Sequence, residues 1–387
     1  MTYLPSGYTV GTSVQGERVK RILAMAAELG FRRVVLNFRG HMITGTGSEI
    51  RFSVSERERK LEDAQILETV SYAKSLGLSV FFRPILLVVG PKGEFPYELA
   101  GKTWWHGNIE PRDPVRWFES YFQFHRRYLE LAAKAKVEWY SIGAEMHSMT
   151  SGLGGDLLPR KGLGYPERWV ELLKKARLIV GTSTKISYGV NYTDQAVRER
   201  GQKIQGGELE QWRYFLVEAF TDPRLQAHQK YMRALWTSLD SVGLDYYRAL
   251  AASAGNYPNS LGPLSDLLLQ RTRSHALQLD NTLTEISLTL GSEKSIFFEE
   301  VGYRSVTDGF LRPATYEHRP GVFNELHQAA AWQAFFRAYW VPNWNWMSGV
   351  AVWQVLVDQE PLVPGHTGFS PLGKPMTEGV LRTYLRP

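Results

Sequence analysis

The sequence contains no cysteine, which excludes disulfides, thiol nucleophiles and cysteine metal sites. No apolar stretch approaches the roughly 20 residues that a membrane-spanning helix needs, since the densest one, Pro84–Val89, has the length of a strand. The first twenty residues lack an apolar core, so no signal peptide is visible. The compartment therefore stays unknown: a secreted or periplasmic location is favoured if a signal peptide was removed, and a cytoplasmic location otherwise.

Signatures of nucleic acids, nucleotides and metals are also missing. Lys and Arg number 45 against 39 Asp and Glu, but the basic residues are scattered and often adjoin acids, as in Glu56–Lys60. This pattern is typical of a solvated helix face, so no nucleic-acid partner is expected. There is no GxGxxG, no GxxxxGK[ST] and no HExxH motif, so we expect no organic cofactor and no metal. His41, His106 and His147 are interpreted as hydrogen-bonding residues rather than as a metal site.

The 387 residues do contain eight short runs rich in β-branched and aromatic side chains, separated by segments of helical periodicity. Two of these segments have clear ends, since one stops at Gly30 and another runs from Pro166 to Gly181. Strands that alternate with helices predict an α/β fold with a parallel sheet, and eight such units predict a closed (β/α)8 TIM barrel. The predicted strands are Tyr8–Thr12, Arg33–Arg39, Leu78–Arg83, Glu138–Gly143, Lys185–Val190, Ser241–Tyr247, Lys294–Glu299 and Gly349–Gln354.

The chain is longer than a bare barrel, which needs about 250 residues. The surplus is expected in long βα-loop insertions at Val89–Asp113, Asp194–Arg224 and Leu250–Pro263. Because no flexible linker divides the sequence, residues 1–387 are predicted to form a single catalytic TIM-barrel domain. An open doubly wound sheet with a small second domain is the alternative.

Two glutamates stand at the carboxyl ends of predicted strands, where barrel enzymes place their active sites. Glu145 follows the apolar run Trp139–Ala144, and Glu300 follows Ser295–Phe298. Strands four and seven face each other across the barrel mouth, which fits retaining glycoside hydrolysis by two carboxyl groups about 5–5.5 Å apart. For either glutamate alone, a structural ion pair with an arginine such as Arg83 is the alternative.

Further candidates for binding a polysaccharide or oligosaccharide substrate lie at strand ends or in the loops that follow them. Aromatic rings suit the faces of sugars, and the chain has 12 Trp and 19 Tyr, although core packing is the commoner use of a single ring. The candidates are Asn37, Arg83, Trp105, His147, Asn191, Tyr246 and Trp353.

Four segments resemble glycoside hydrolase family 113, a β-mannanase family of the retaining clan A of TIM-barrel glycosidases. They occur in the family's order over most of the chain, while Gln195–Ser260 shows no resemblance. The matching segments are Trp105–Pro111 with Trp117–Tyr121, Ile142–Met146, Glu300–Ser305 and Thr367–Pro375.

The resemblance implies an endo-β-mannanase-like enzyme that cleaves a β-1,4-linked polysaccharide with retention and without a cofactor. By this resemblance Glu145 is the expected acid/base and Glu300 the expected nucleophile. Glu300 is preferred to Glu299 because the family's motif is a Glu, one residue and then Gly-Tyr.

The resemblance also implies roles for residues around the nucleophile. Tyr246 is expected to orient Glu300, and Trp353 to lie beneath the reactive sugar. Hydrogen bonds from Arg83 and Tyr246 are expected to keep Glu300 ionised, because donors to the charged form lower the pKa of a carboxyl group.

One position departs from the clan, which usually has Asn-Glu at the end of strand four, whereas this chain has Ala144-Glu145. That Asn contacts the sugar 2-OH, a bond that strengthens in the transition state. Three explanations stay open: Asn191 or His147 takes over, the enzyme is slow, or the substrate lacks a 2-OH. The alternatives to mannan are therefore 2-acetamido or amino-sugar glycans resembling chitin or peptidoglycan, and a non-catalytic glycan-binding barrel.

Overall fold

The computed structural model describes residues 2–4, 13–52, 55–152, 162–199, 202–315, 319–356 and 365–385. Its strands are β1 (Thr2–Leu4), β2 (Arg33–Ile43), β3 (Ile50–Phe52), β4 (Ser79–Val89), β5 (Tyr97–Leu99), β6 (Lys102–Trp104), β7 (Trp139–Ala144), β8 (Lys185–Thr193), β9 (Ala196–Glu199), β10 (Gln202–Gln205), β11 (Val242–Tyr247), β12 (Ile296–Val301), β13 (Met347–Val352) and β14 (Val355–Leu356). Its helices are α1 (Ser13–Leu29), α2 (Glu56–Ser75), α3 (Pro114–Ala135), α4 (Pro166–Val180), α5 (Gly207–Val217), α6 (Pro223–Ser238), α7 (Leu261–Leu290), α8 (Glu325–Phe335) and α9 (Pro375–Leu385). The expected strand Tyr8–Thr12 lies outside the described residues.

The large sheet closes on itself. Its strand order is β13–β12–β11–β8–β7–β4–β2–β1–β14, and every pair along this path is parallel. The two ends of the path, β13 and β14, are separated in sequence by Trp353 and Gln354 alone. The eighth strand therefore pairs with β12 through its first part and with β1 through its last part, which completes the predicted (β/α)8 TIM barrel.

The helix ends follow from local chemistry. Asp113 caps α3 by accepting a hydrogen bond from the backbone N–H of Arg116 at 3.0 Å, and Pro114 occupies the first turn, where no donor is needed. Helix α4 likewise begins at Pro166, and Gly181 ends it with a φ of 66°, a conformation that favours glycine. No helix in the described part of the chain is both long and apolar enough to cross a membrane.

The barrel interior is layered. Because strand side chains alternate between the two faces, residues two positions apart point to the same side. The floor is a separate apolar cluster of Val35, Phe81, Trp139, Phe297 and Ala351. Two residues further along the same strands come buried polar side chains, namely Asn37, Arg83, Ser141 and Glu299. The strands thus carry an apolar floor and, above it, the polar groups of the candidate site.

The predicted insertions carry structure of their own. The first contains the hairpin of β5 and β6 and a 3₁₀ turn, His106–Asn108. The second contains the hairpin of β9 and β10, followed by α5. Both insertions follow the carboxyl ends of barrel strands, so they bring additional residues to the barrel mouth.

Candidate active site

A buried arginine lies at the centre of the candidate site. Arg83 on β4 is 1% exposed, and its Nε donates to Oε2 of Glu299 at 2.9 Å. Its Nη1 donates to Oε1 of Glu300 at 2.5 Å, and its Nη2 donates to Oδ2 of Asp245 at 2.8 Å. Burial alone lowers the pKa of Arg83, but the three carboxylates outweigh burial and raise it well above its usual value. Arg83 is therefore always charged, and it brings carboxylates from β11 and β12 together.

Two consecutive glutamates reach this guanidinium because β12 is irregular. In a regular strand Glu299 and Glu300 would point to opposite faces. The register between β12 and β13 shifts between Phe298 and Val301. A bulge of this kind changes the direction of a side chain, and here it lets both carboxylates contact Arg83.

The two glutamates differ in their other donors. Glu299 also accepts hydrogen bonds from Oγ of Ser141 at 3.0 Å and from Oγ of Ser187 at 2.5 Å, entirely within the barrel. Glu300 accepts one from the hydroxyl of Tyr247 at 2.6 Å and keeps a small exposed surface. Glu299 thus belongs to the barrel interior, while Glu300 is the carboxylate within reach of a ligand at the mouth.

Asp245 is the poorest place for a negative charge in this group. Its Oδ2 accepts from Arg83, but its Oδ1 has no hydrogen-bond partner among the described residues. Burial raises the pKa of Asp245 well above its usual value; Arg83 opposes this, and the charge of Glu300 adds to it. A proton taken up by the cluster is therefore most stable on Asp245, which leaves the negative charge on the better-solvated Glu300.

Glu145 stands across the mouth, directly after β7. It has a left-handed backbone with a φ of 50°, and its N–H donates to the carbonyl of Gly189 at 2.7 Å. Its Oε2 lies 3.3 Å from Nε2 of His106 in the 3₁₀ turn. The ring of Trp105 contacts His106 and His147 edge-on, with centroid distances of 5.0 and 5.2 Å. The first insertion therefore places an aromatic ring and an imidazole beside this carboxyl group.

Burial and nearby charges shift the pKa of both Glu145 and Glu300. Burial raises the pKa of Glu300; Arg83 lowers it and the charge of Glu145 raises it, so that the pKa lies above its usual value. Burial also raises the pKa of Glu145, but the hydrogen bond with His106 and nearby positive charges bring it below its usual value. The charge of Glu145 thus contributes to the raised pKa of Glu300, which places the two carboxyl groups within electrostatic range of each other.

The hydroxyl that contacts the expected nucleophile belongs to Tyr247 and not to Tyr246, which corrects the expectation from the sequence. Tyr246 points away from the mouth, and its hydroxyl pairs with Nδ1 of His275 at 2.9 Å. Its ring packs against Phe335, with the centroids 5.8 Å apart. Since neighbouring side chains on β11 alternate between faces, only one of the two tyrosines can face Glu300.

The two expected aromatic platforms are both half-buried, so each keeps a surface that a sugar can meet. Trp105 lies beside Glu145 in the first insertion. Trp353 joins β13 to β14, and its N–H donates to the carbonyl of Val301 at 2.7 Å, next to Glu300.

Three other expected binding residues are buried. Asn37 is 0% exposed and lies in register with Arg83, and both atoms of its amide lack a partner among the described residues. Asn191 accepts a hydrogen bond from Oγ1 of Thr193 at 3.0 Å. Burial lowers the pKa of His147 to about 4, so its imidazole is neutral at neutral pH. These three side chains lie beneath the accessible surface of the mouth in this structure.

Three residues contact Arg83 or the two candidate glutamates although the sequence predicted no such contact for them: Asp245, Tyr247 and His106. Asp245 follows the apolar run Val242–Leu244, so the rule that singled out Glu145 also applied to it. His106 is expected from the sequence to form a hydrogen bond, but its partner Glu145 could not be predicted, because that contact depends on the path of the first insertion.

No group of three or more His, Asp or Glu side chains in the described ranges is arranged to hold a metal ion. His41 lies on β2, paired in register with Arg51 of β3. The chemistry that this site offers is acid–base and nucleophilic chemistry by carboxyl groups.

Comparisons with known proteins agree with this geometry. The model of Glycoside Hydrolase Family 113 matches residues 1–152, which include Arg83 and Glu145. No curated protein sequence matches the chain.

Solved structures show the same fold over the full length. The GH113 β-mannanase AaManA from Alicyclobacillus acidocaldarius, in complex with ManMIm, is 20% identical, with 99% of this chain and 96% of that one covered and a TM-score of 0.65. A complex structure of a GH113 β-1,4-mannanase is 19% identical, with 100% and 97% covered and a TM-score of 0.62. The resemblance to glycoside hydrolase family 113 that the motifs predict is therefore confirmed over residues 1–152, and the solved structures show that the chain shares the fold of these proteins.

Proposed function

We propose that this protein is a retaining glycoside hydrolase that cleaves β-1,4-linked polysaccharide, with β-mannan as its substrate. The observation that carries the proposal is the pair Glu145 and Glu300, which lie at the carboxyl ends of different barrel strands, with the charge of Glu145 close enough to raise the pKa of Glu300. The family match and the two β-mannanase neighbours support mannan as the substrate. In this proposal the whole chain forms one catalytic domain, and its partner is the polysaccharide.

The proposed reaction has two steps. Glu145 gives its proton to the glycosidic oxygen while the carboxylate of Glu300 attacks the anomeric carbon, so that the leaving chain departs and a glycosyl ester forms. Glu145 then takes a proton from water, the water attacks the anomeric carbon, and Glu300 is released as a carboxylate.

In the free site the pKa of Glu300 lies above its usual value and that of Glu145 below it, which is opposite to the order these roles need, so the division of roles rests on the donors around the two carboxylates. Glu300 receives short hydrogen bonds from Arg83 and Tyr247, which stabilise its charged form, as a nucleophile requires. The side chain of Glu145 has a longer contact, 3.3 Å, with His106. A bound glycosidic oxygen would replace His106 beside Glu145, and this would remove the hydrogen bond that lowers the pKa of Glu145.

The proposal is tested by the products and by two variants. The wild type should release reducing ends from β-mannan, and NMR of the first product should show the β-anomer. Glu300→Ala and Glu145→Ala should each lower kcat by about 10³-fold or more while still folding, since each removes a group that takes part in bond making.

Sodium azide separates the two roles, because this small anion can enter the space that an alanine leaves. With an activated aryl β-mannoside, azide should give a β-glycosyl azide with Glu145→Ala and an α-glycosyl azide with Glu300→Ala. An α-anomer released by the wild type, or wild-type rates in either variant, would contradict the mechanism.

Ala144 favours a second candidate, a glycosidase that acts on amino-sugar glycans. Ala144 and Gly189 are both small, and a Cβ added to Gly189 would lie 3.5 Å from that of Ala144. An Asn side chain is absent here, so the contact that the clan's Asn makes with a sugar 2-OH is missing, and a substrate with a 2-acetamido group would not lose it.

Release of reducing ends from mannan, chitin, chitosan and peptidoglycan, compared at equal enzyme concentration, separates the two candidates. Preference for mannan supports the main proposal, while cleavage of an N-acetylated glycan alone supports the second. Tight binding of oligosaccharides without any product would support a barrel that only binds glycans.

A further inference from the structure

A second buried carboxyl group lies behind the expected acid/base, on the second insertion. Glu208 of α5 is 0% exposed, and its Oε1 accepts hydrogen bonds from Oγ1 of Thr150 at 2.9 Å, the hydroxyl of Tyr188 at 3.1 Å and Nε1 of Trp212 at 3.2 Å. Its Oε2 accepts from the backbone N–H of Asn191 at 3.3 Å. One side chain thereby joins α5, β8 and the segment that follows β7.

These contacts lead directly to the residue after Glu145. The hydroxyl of Tyr188 donates a hydrogen bond to Glu208. It also accepts a hydrogen bond from the backbone N–H of Met146 at 2.8 Å. Thr150 closes the same turn, because its N–H donates to the carbonyl of Met146 at 3.0 Å. Glu208 therefore holds both ends of the turn 146–150, whose first residue follows Glu145.

Glu208 lacks the cation that usually accompanies a buried carboxylate, since the described part of the chain gives it no ion pair. Burial raises its pKa to about 8, so it is uncharged at neutral pH. A buried carboxyl group that is uncharged and accepts hydrogen bonds from several elements contributes mainly geometry.

We propose that Glu208 is a positioning residue, which holds the turn 146–150 and through it the carboxyl group of Glu145 at the site. The inference rests on the proposed acid/base role of Glu145. It also gives a function to the stretch Gln195–Ser260, in which the sequence shows no resemblance to the family.

Glu210 provides a matched control on the same helix. It is 2% exposed and accepts hydrogen bonds from Oγ1 of Thr282 at 2.7 Å and from Nε of Arg213 at 2.8 Å. Thr282 lies on α7 and Arg213 on α5 itself, so neither contact is made with the turn after β7. Loss of Glu210 removes a similarly buried carboxyl group without touching the Glu145 segment.

The experiment compares Glu208→Ala, Glu208→Gln and Glu210→Ala in steady-state hydrolysis of β-mannan. Glu208→Ala should lower kcat by about 10- to 100-fold with KM within about threefold, because a small displacement of a catalytic group costs this much. Glu208→Gln keeps the acceptor at Oε1 for Thr150, Tyr188 and Trp212 but places an NH2 donor against the N–H of Asn191. It should therefore restore kcat in part, to within about tenfold of the wild type. Glu210→Ala should keep kcat per folded molecule within about threefold.

Tyr188→Phe removes the hydroxyl that bridges Glu208 to Met146 and keeps the ring, so it tests the same link if Glu208→Ala does not fold. Its kcat should fall in the same direction. Hydrogen exchange gives a readout that does not depend on activity: the amides of Met146 and Thr150 should exchange faster in Glu208→Ala or Tyr188→Phe, but not in Glu210→Ala.

Failure of the inference differs from failure of the proposed function. If the wild type cleaves no glycan, the proposed function fails and the exchange rates alone decide on Glu208. The inference is overturned if Glu208→Ala keeps its kcat, if Glu208→Gln restores none of it, or if Glu210→Ala loses as much. Unchanged exchange at Met146 and Thr150 overturns it as well.

Discussion

The guanidinium of Arg83 compensates part of the negative charge inside the barrel mouth. Arg83 contacts three carboxylates, so the cluster would carry two excess negative charges if all three were ionised. Uncompensated buried charge costs several kcal/mol, and a proton on Asp245 reduces this cost. The ionised form of Glu300 therefore depends on Arg83, on Tyr247 and on the proton held by its neighbour.

Tyr247→Phe tests the contact that the structure gives to Tyr247. The hydroxyl donates to Glu300 and lowers the pKa of that carboxyl group, so its loss should raise this pKa. Glu300 would then become protonated at higher pH, and the acid limb of kcat/KM should move up by about 1 pH unit, with kcat lowered about 10-fold or more.

Tyr246→Phe is the control on the same strand. Its hydroxyl pairs with His275, so this variant should leave the acid limb in place. An acid limb that moves in Tyr246→Phe and stays in Tyr247→Phe would restore the assignment made from the sequence.

The sequence predicted which charged residues meet at the barrel mouth better than it predicted their contacts. Glu145 and Glu300 are recognisable because a charged residue at the end of an apolar strand needs a reason, whereas Arg83 lies within β4 and not at its end, where the sequence placed it. The choice between Tyr246 and Tyr247 depends on which face of β11 each occupies. A shift of one residue along the strand exchanges the two faces. The register between β11 and β12 shifts between Leu244 and Asp245, and this shift is not visible in the sequence.

At the scale of elements, the 3₁₀ turn His106–Asn108 fits against the end of β7 with little space between them. A Cβ on Gly107 would overlap the ring of Trp105 and lie 2.8 Å from the carbonyl oxygen of Glu145. The carbonyl of Gly107 also accepts the N–H of Ser148 at 3.1 Å. A residue without a side chain is therefore required at this position.

Gly107→Ala should displace the turn and Glu145 together. We expect kcat/KM to fall by about 10- to 100-fold and the free energy of unfolding to fall by about 1–3 kcal/mol, as for other overpacked sites. Gly262→Ala is the control, because open space surrounds Gly262 in α7; its activity should be unchanged and its stability within about 1 kcal/mol. Equal activity in the two variants, measured beside urea unfolding, would contradict the close fit.

Element prediction succeeded where periodicity and end signals agreed. The helix that Pro166 opens and Gly181 closes is present as α4, and the strand expected at Lys185–Val190 is β8. The insertions are predicted from chain length alone. Helix α5 begins at a pair of glycines and carries buried glutamates, so its sequence resembles that of a loop. Its buried face cannot be read from hydrophobicity, because two of the residues on it are acids.

At the scale of the whole molecule, the described core is rich in neutral, buried imidazoles. Burial lowers the pKa of His125 to about 3, of His147 and His228 to about 4, and of His275 to about 2. Each binds a proton near pH 6.5 in the unfolded chain and much less readily in the folded one. As the pH falls, the unfolded state therefore binds protons before the folded state does. Between about pH 6.5 and its folded-state pKa, each histidine lowers the free energy of unfolding by about 1.4 kcal/mol per pH unit.

His125 allows this effect to be measured alone. Its Nδ1 pairs with the hydroxyl of Tyr140 at 2.8 Å, while its Nε2 has no partner in the described ranges. His125→Phe keeps a ring in the surrounding aromatic cluster and removes the titration. Between about pH 6 and pH 4, the free energy of unfolding of the variant, measured with urea, should rise relative to that of the wild type by about 1.4 kcal/mol for each unit by which the pH falls.

Tyr140→Phe is the control, because it removes the same hydrogen bond and leaves the imidazole. Its free energy of unfolding should differ from that of the wild type by a constant amount across this range. A constant difference for His125→Phe as well would mean that His125 binds its proton equally in both states, and the acid sensitivity of the fold would then have to come from other groups.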